Sequence, residues 1–157
     1  MSRSPFFFIE QVNPASGKAE FVHLQKVTKD GKIEETTLFP FNGCHDIFSI
    51  VEQKASDFPQ MAGIHCGKPF GASGRIQKEY DLCEYSHCKM FWFNYSDLLV
   101  YCLQYPKVPS YDDDGNPVTI DNPIFLLKDR IDAYLEVWDG WDCEDKSLFR
   151  IVYWIDY

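Results

Sequence analysis

The sequence predicts a single α+β domain over residues 1–157, in which an antiparallel sheet carries about three helices on one face. Its N-terminal third alternates β-branched and aromatic runs with turn residues, whereas later segments repeat apolar residues at helical spacing. Residues 148–157 are rich in β-branched and aromatic side chains, which predicts a C-terminal strand buried in the core. A chain of 157 residues without repeats or linkers suits one domain.

The N-terminal third is predicted to form a three-stranded antiparallel meander. Apolar runs at residues 5–12 and 19–27 are separated by residues 13–17, which contain proline and glycine. An Asp-Gly turn at residues 30–31 then leads into a third run at residues 32–39.

The chain between residues 43 and 58 is predicted to be helical. Asn42 can cap its start, and Asp46 lies in the first turn, where a carboxylate interacts favourably with the helix dipole. The helical spacing is that of Ile47, Phe48, Ile50 and Val51. Residues 63–74 contain four glycines and a proline, and this composition predicts a long irregular loop.

Two further helices are predicted from their start signals. Asn94 and Asp97 form a capping-box-like start for a helix that would bury Leu98, Leu99, Cys102 and Leu103. Asn122 and Pro123 start a third helix, which ends near Trp138 and has the apolar stripe Ile124, Leu127, Ile131, Tyr134, Leu135 and Trp138. Residues 111–121, between these helices, are predicted to be an acidic turn region.

The composition favours binding to protein over binding to nucleic acid. Direct contact with phosphates depends on Lys and Arg, and this chain has a formal net charge of −9. Basic protein surfaces, rather than DNA or anionic membranes, would be attracted to it by long-range electrostatics. The alternative is that the charge only keeps the protein soluble. Aromatic residues make up 17% of the chain, which is more than one core needs, so some are expected at a rim or groove.

Neither a membrane segment nor an export signal is predicted, so the protein is expected in the cytoplasm with its six cysteines reduced. We predict no cofactor and no metal. A zinc site is the alternative, because thiolate and imidazole are preferred zinc ligands, although no Cys-x-x-Cys or His-x₃₋₅-His pair is present. Such a site would draw on Cys44, His45, His65, Cys66, Cys83, His87 and Cys88.

Two acidic loops are candidate binding sites. Residues 139–145 place Trp141 among carboxylates that include Asp142, and a second acidic run consists of Asp112, Asp113 and Asp114. Aromatic anchors surrounded by charge are typical of protein interfaces. The alternative is a solvated loop whose Trp141 packs into the core.

The second acidic run also resembles part of a calcium-binding loop. Pro117 interrupts that pattern, and Asp121 stands where such loops carry a bidentate glutamate, so a solvated Asp-Gly turn is the better prediction. No catalytic residue is predicted, because no Cys and His pair has the surrounding signature of a thiol enzyme.

Four segments, residues 41–50, 85–92, 96–99 and 150–156, resemble one protein family. Residues 41–50 read Phe-Asn-Gly-Cys-His-Asp-Ile-Phe-Ser-Ile, residues 85–99 contain Tyr-Ser-His-Cys followed by tryptophan and Ser-Asp-Leu-Leu, and residues 150–156 read Arg-Ile-Val-Tyr-Trp-Ile-Asp. This order is similar to a family of small, functionally uncharacterised proteins of phages, prophages and their bacterial hosts. The resemblance implies a phage-related setting but no activity, and the family's Arg-Gly-Leu-Pro element is missing from residues 63–74. The matching positions are Asp46, His87, Trp92 and Asp97.

These observations predict a non-catalytic protein of phage or prophage type that binds a host protein in the bacterial cytoplasm. Occupying a basic surface on that protein would inhibit it, for example in a defence system. The alternative is a binder of small molecules such as nucleotides, with His45, His65, His87 and Trp92 around the glycine-rich loop and a basic patch at Lys68, Arg75, Lys78 and Lys89. A zinc or thiol enzyme ranks third. The candidate binding residues are Asp46, His87, Trp92, Asp97, Asp112, Asp113, Asp114, Trp141 and Asp142.

Overall fold

The computed structural model describes residues 6–21, 24–27, 30–31, 33–36, 47, 50–51, 58–85, 88–137 and 146–156. These residues include nine strands, three helices and further helical backbone at residues 47, 50 and 51. The strands are β1 (Phe6–Val12), β2 (Ala19–Phe21), β3 (Leu24–Val27), β4 (Ile33–Thr36), β5 (His65–Cys66), β6 (Cys88–Asn94), β7 (Lys107–Tyr111), β8 (Pro117–Asp121) and β9 (Phe149–Asp156). The helices are α1 (Gly74–Tyr85), α2 (Tyr95–Gln104) and α3 (Ile124–Val137), with a 3₁₀ turn at Lys146–Leu148.

Strand β9 lies at the centre of a five-stranded antiparallel sheet with the order β2-β1-β9-β6-β5. Ile151 pairs with Ile9 on one side and with Phe93 on the other. Ile151, Val152 and Tyr153 are completely buried. The predicted α+β class and the predicted burial of the C-terminal strand are therefore confirmed.

Helices pack on both faces of this sheet. Because side chains alternate along a strand, Phe7 and Ile9 face one layer while Phe8 faces the other. The first layer contains buried residues of α2 and α3, among them Leu98 and Leu127. In the second layer, Phe8 packs with Ile76 of α1, Met90 and Val152. The sequence predicts helices on one face only, because it does not predict α1. In the structure, α1 packs on the other face.

Helix α1 has a weak sequence signal because its apolar stripe is one residue wide. Ile76 is buried and Tyr80, four residues later, is half-buried, whereas Arg75, Lys78 and Asp81 give the segment a polar composition. The predicted loop at residues 63–74 therefore stops where α1 begins. It also contains the two-residue strand β5.

The predicted N-terminal strands are present as two hairpins. Strand β1 pairs with β2, and β3 pairs with β4 as a separate two-stranded ladder. Gly17 and Gly31 have positive φ, which lets the two intervening turns reverse the chain. The predicted run at residues 19–27 is thus divided between β2 and β3.

The predicted helices are confirmed where the structure describes them. The chain is helical and buried at Ile47, Ile50 and Val51, while Asn42, Asp46 and Phe48 lie outside the described residues. The Asp97 carboxylate accepts a hydrogen bond from the Asn94 N–H at 3.0 Å and completes the predicted capping box of α2.

One predicted core residue of α2 is wrong. Leu98 and Cys102 are buried, and Leu99 is partly buried against the same core. Leu103 is 82% exposed, because nothing among the described residues covers the last turn of α2 on that side. In α3, the stripe Ile124, Leu127, Ile131 and Leu135 is buried as predicted, while the side chain of Tyr134 and all of Trp138 lie outside the described residues.

The acidic turn region at residues 111–121 is a hairpin. Strands β7 and β8 pair over their full lengths, and only residues 112–116 form the turn itself. Two prolines, Pro109 and Pro117, weakened the strand signal there. No helix among the described residues is long and apolar enough to span a lipid bilayer.

Candidate protein-binding surface

The negative charge of the chain is concentrated in one part of the sequence. Residues 97–145 contain 12 Asp and Glu but only three Lys and Arg, whereas the rest of the chain contains 12 of each sign. Residues 97–137 of this stretch, with eight acidic and three basic residues, have a backbone that is described throughout, and they include most of α2, the β7–β8 hairpin and α3. We call residues 95–137, from the start of α2 to the end of α3, the acidic segment.

The acidic segment also exposes large apolar side chains. Seven such side chains are exposed among the described residues, and five of them belong to this segment: Val100, Leu103, Tyr105, Tyr111 and Leu126. Val100 and Leu103 are three residues apart and therefore lie on one side of α2. Tyr111, at the end of β7 beside the acidic turn, is 68% exposed.

The hairpin turn holds its carboxylates in a defined arrangement. Asp112 Oδ1 accepts hydrogen bonds from the backbone N–H groups of Asn116, at 2.8 Å, and Asp114, at 3.0 Å. The bond from Asn116 is the largest effect that lowers the pKa of Asp112. Gly115 has φ +80°, so the predicted Asp-Gly turn is confirmed. Asp112, Asp113 and Asp114 are brought together at the exposed tip.

Buried hydrogen bonds fix the base of the hairpin to α2 and α3. Asn122 is buried, and its Oδ1 accepts from the Ile124 N–H at 3.0 Å, which caps α3. Its Nδ2 donates to the Tyr105 carbonyl at 2.9 Å and to the Tyr101 hydroxyl at 3.2 Å. That hydroxyl donates to the Pro59 carbonyl at 2.6 Å. The hairpin is thus held at its base, while Val108 packs into the interior.

A charged cluster joins α2, α3 and the 3₁₀ turn. The Asp132 carboxylate accepts from the Tyr95 hydroxyl, from Lys128 Nζ at 2.7 Å and from Lys146 Nζ at 3.1 Å. Burial raises the pKa of Asp132, but these hydrogen bonds outweigh it and lower that pKa below its usual range. Burial, followed by the hydrogen bond to Asp132, raises the pKa of Tyr95. Each partner's charge state is therefore stabilised, as in a structural ion-pair network.

Trp92 and Asp97 lie away from the acidic tip. Trp92 faces the α1 side of the sheet, where it stacks on His65 at 4.3 Å between ring centroids, with Arg150 Cζ 5.8 Å from its ring centroid. Asp97 caps α2 and lies so close to Gly63 that a Cβ there would stand 2.6 Å from its carboxylate. Asp97 therefore has a structural role. Asp46, His87, Trp141 and Asp142 lie outside the described residues.

Of the seven candidate zinc ligands, His65 and Cys66 lie in full within the part of the chain that the structure describes. In that part of the chain, no three His, Cys, Asp or Glu side chains are grouped as metal ligands. His65 and Cys66 pair with Trp92 and Phe91 and so point to opposite faces of the sheet. The other zinc candidates fall outside the description, Cys44, His45 and His87 entirely and Cys83 and Cys88 in their side chains.

Sequence reasoning missed the apolar part of this surface. The sequence predicts Leu103 in the core, and no sequence pattern singles out Tyr105 or Leu126. The uneven distribution of acidic residues, which the sequence alone shows, was the available signal for the acidic segment. Comparison with protein families, with curated proteins and with solved structures finds no match to this chain. The resemblance to phage proteins therefore stays a prediction.

Proposed function

We propose that this is a non-catalytic binding protein whose acidic segment binds a basic surface on another protein. The proposal rests on two features that occur together in residues 95–137. These elements hold eight acidic and only three basic residues, and they also hold five of the seven large apolar side chains that are exposed in the described part of the chain. Exposed apolar side chains rimmed by charge are characteristic of interaction sites.

Charge and apolar contacts would have separate roles in this interaction. The carboxylates of Asp113 and Asp114, exposed at the tip, attract a basic partner from a distance and accelerate association. Leu103 and Tyr111 then supply apolar contact area, and such contacts mainly slow dissociation. Because Asn122 holds the hairpin base, little ordering cost opposes binding.

The proposed partner is a bacterial host protein, and binding inhibits it. The resemblance of residues 150–156 to phage and prophage proteins supports this setting. A basic surface that normally contacts nucleic acid, such as the channel of a defence nuclease, has the complementary charge. Occupation of that surface by the acidic tip would exclude the nucleic acid.

A triple variant and a matched triple control test the proposal. The acidic-segment variant carries Leu103→Ser, Asp113→Asn and Asp114→Asn, and its control carries Leu82→Ser, Asp81→Asn and Asp30→Asn, which are the same changes at exposed positions elsewhere. A partner is captured from a bacterial extract with the unmodified chain, purified, and its Kd measured against all three proteins by titration calorimetry. We expect the acidic-segment variant to bind at least about tenfold more weakly, which is about 1.4 kcal/mol, and the control to bind normally.

The salt dependence gives a second measurement. Kd should rise between about 50 mM and about 500 mM salt for the unmodified chain, and less steeply for the acidic-segment variant. Equal affinities for the variant and its control would contradict the proposal.

The nucleotide-binding alternative has a specific observation against it. At the start of α1, where phosphate would bind, the Glu10 carboxylate already accepts from the Ser73 N–H at 2.6 Å. The nearby cations are also engaged, since Lys68 donates to Gln77 and Arg75 pairs with Glu79.

A further inference from the structure

Phe70 is a large apolar side chain held in an exposed position. It lies on the loop between β5 and α1, residues 67–73, which we call the Phe70 loop. Its side chain is 84% exposed, the highest value among the large apolar residues that the structure describes. An isolated exposed apolar residue is ordinary. The backbone of this loop, however, is held in place by contacts from two directions.

A buried ion pair holds the loop from beneath. Glu10 is completely buried and Arg150 is 5% exposed, and Arg150 Nε donates to Glu10 Oε1 at 2.9 Å. Arg150 Nη1 donates to the Phe70 carbonyl at 2.8 Å, while Glu10 Oε2 accepts from the Ser73 N–H. The middle of the loop, at Phe70, and its C-terminal end, at Ser73, are therefore bound to charges inside the sheet, where hydrogen bonds are strong.

The turn between β1 and β2 holds the loop from the side. The Ala19 N–H donates to the Gly71 carbonyl at 2.8 Å, and a Cβ on Gly71 would lie 2.1 Å from the Gly17 carbonyl oxygen. This approach requires glycine at position 71, whose φ is +66°. Because the backbone is fixed on two sides, the Phe70 ring stays exposed.

The charges around the Phe70 loop are mainly positive. Lys18 adjoins Gly71, Lys68 lies within the loop, and Arg75 follows it. Because Arg75 is paired with Glu79, the net positive charge comes from Lys18 and Lys68. Glu20 lies nearby in β2, but it pairs with Gln11, whose side faces the other layer of the sheet. The Phe70 loop is thus an apolar projection with a basic rim, which complements the acidic segment in both charge and exposed apolar groups.

We propose that the Phe70 loop of one copy of this chain binds the acidic segment of a second copy. The loop packs on the Phe8 layer of the sheet, and α2 and α3 pack on the Phe7 layer, so the two surfaces lie on opposite faces. Surfaces on opposite faces make a head-to-tail contact, which extends to further copies, rather than a closed two-fold dimer. The contact is weak, with Kd on the order of 10–100 μM, because only a few apolar side chains meet.

This inference rests on the proposed function in one respect, because it uses the same acidic segment. Self-association then competes with the basic partner for that segment. The unbound protein would cover its own binding surface at high concentration and expose it on dilution.

Sedimentation velocity of the full chain tests the inference over about 1 μM to about 1 mM. We expect the mean mass to rise with concentration and to fall back when salt increases from about 50 mM to about 500 mM. Phe70→Ser alone and the acidic-segment variant alone should each stay monomeric. A mixture of these two should form a one-to-one dimer, because each supplies the surface that the other lacks. The control with Leu82→Ser should associate like the unmodified chain.

A monomeric mass throughout the concentration series would overturn the inference, and so would association that persists in Phe70→Ser. A mixture of the two variants that stays monomeric would also overturn it. The proposed function has a separate readout, because Phe70→Ser keeps the acidic segment and should bind the purified partner with unchanged Kd at chain concentrations far below the self-association Kd. Circular dichroism melts of each variant establish that these exposed substitutions leave the fold intact.

Discussion

At the scale of single residues, Glu10 and Arg150 are a buried pair of opposite charges. They are direct neighbours across β1 and β9, and Arg150 Nη2 lies 2.8 Å from Glu10 Oε1. Burying such a pair costs desolvation energy that the mutual attraction offsets only when both partners are present. The pair therefore stabilises this particular arrangement of sheet and loop more than it stabilises folding as such.

Removal of Arg150 alone should be severely destabilising. Arg150→Met leaves the Glu10 carboxylate buried without its cation, and we expect the free energy of unfolding to fall by about 3–5 kcal/mol in urea titrations. The double variant Glu10→Gln, Arg150→Met should lose less. Arg75→Met, which removes a partly exposed pair with Glu79, serves as the control and should cost less than about 1 kcal/mol. An Arg150→Met chain as stable as this control would show that the pair is unimportant.

At the scale of elements, the contacts between segments depend on how closely two backbones approach. The Phe70 loop and the β1–β2 turn meet through Gly71 and Gly17, with no side chain between them. A short loop and a short turn thereby act as one rigid unit.

Gly71→Ala should separate the loop from the turn. The added Cβ would lie 2.1 Å from the Gly17 oxygen at a positive φ, so we expect a loss of more than about 2 kcal/mol in the free energy of unfolding. Gly74→Ala is the matched control, because a Cβ added at Gly74 would have nothing within 4 Å and this residue begins α1. It should be neutral or stabilising by up to about 1 kcal/mol. Equal effects of the two substitutions would contradict the close approach.

Elements whose signals are local in sequence could be predicted, and those that depend on distant contacts could not. Two helices could be predicted from their start signals, because a cap is adjacent in sequence to the helix that it starts. These signals are Asn94 with Asp97 and Asn122 with Pro123. The role of Glu10 depends on its register with Arg150, 140 residues away, and no local pattern encodes that register. The exposure of Leu103 likewise depends on which distant segments pack against α2, and the local sequence does not encode that packing. For the candidate surface, the acidic tip was predictable from composition, whereas its apolar neighbours were not.

At the scale of the whole molecule, the Asp132 cluster couples stability to pH. Asp132 has a lowered pKa in the folded chain, so the folded state binds fewer protons than the unfolded state in acid. The stabilisation is present above the unfolded pKa of about 3.9 and is lost as pH falls through the lower folded value. Acid should therefore loosen the contact of α2 and α3 with the 3₁₀ turn before β9.

Urea titrations at a series of pH values should detect this effect. We expect the decline in unfolding free energy below about pH 4 to be shallower in Asp132→Asn than in the unmodified chain. Tyr95→Phe removes one of the donors to Asp132 and should give an intermediate slope. A slope unchanged in Asp132→Asn would show that the cluster does not contribute to acid sensitivity.

The central position of β9 has a consequence for how the chain folds. Strand β9 lies between β1 and β6 in the sheet. Phe6 of β1 pairs with Trp154 of β9, and these two residues are 148 positions apart in the sequence. Until β9 has been synthesised and has paired, both β1 and β6 lack their main pairing partner and expose unpaired apolar edges. Closing so long a loop is entropically costly, so folding should be slow for a domain of this size. A chain interrupted before residue 149 would be a substrate for chaperones and proteases rather than a smaller working version of the protein.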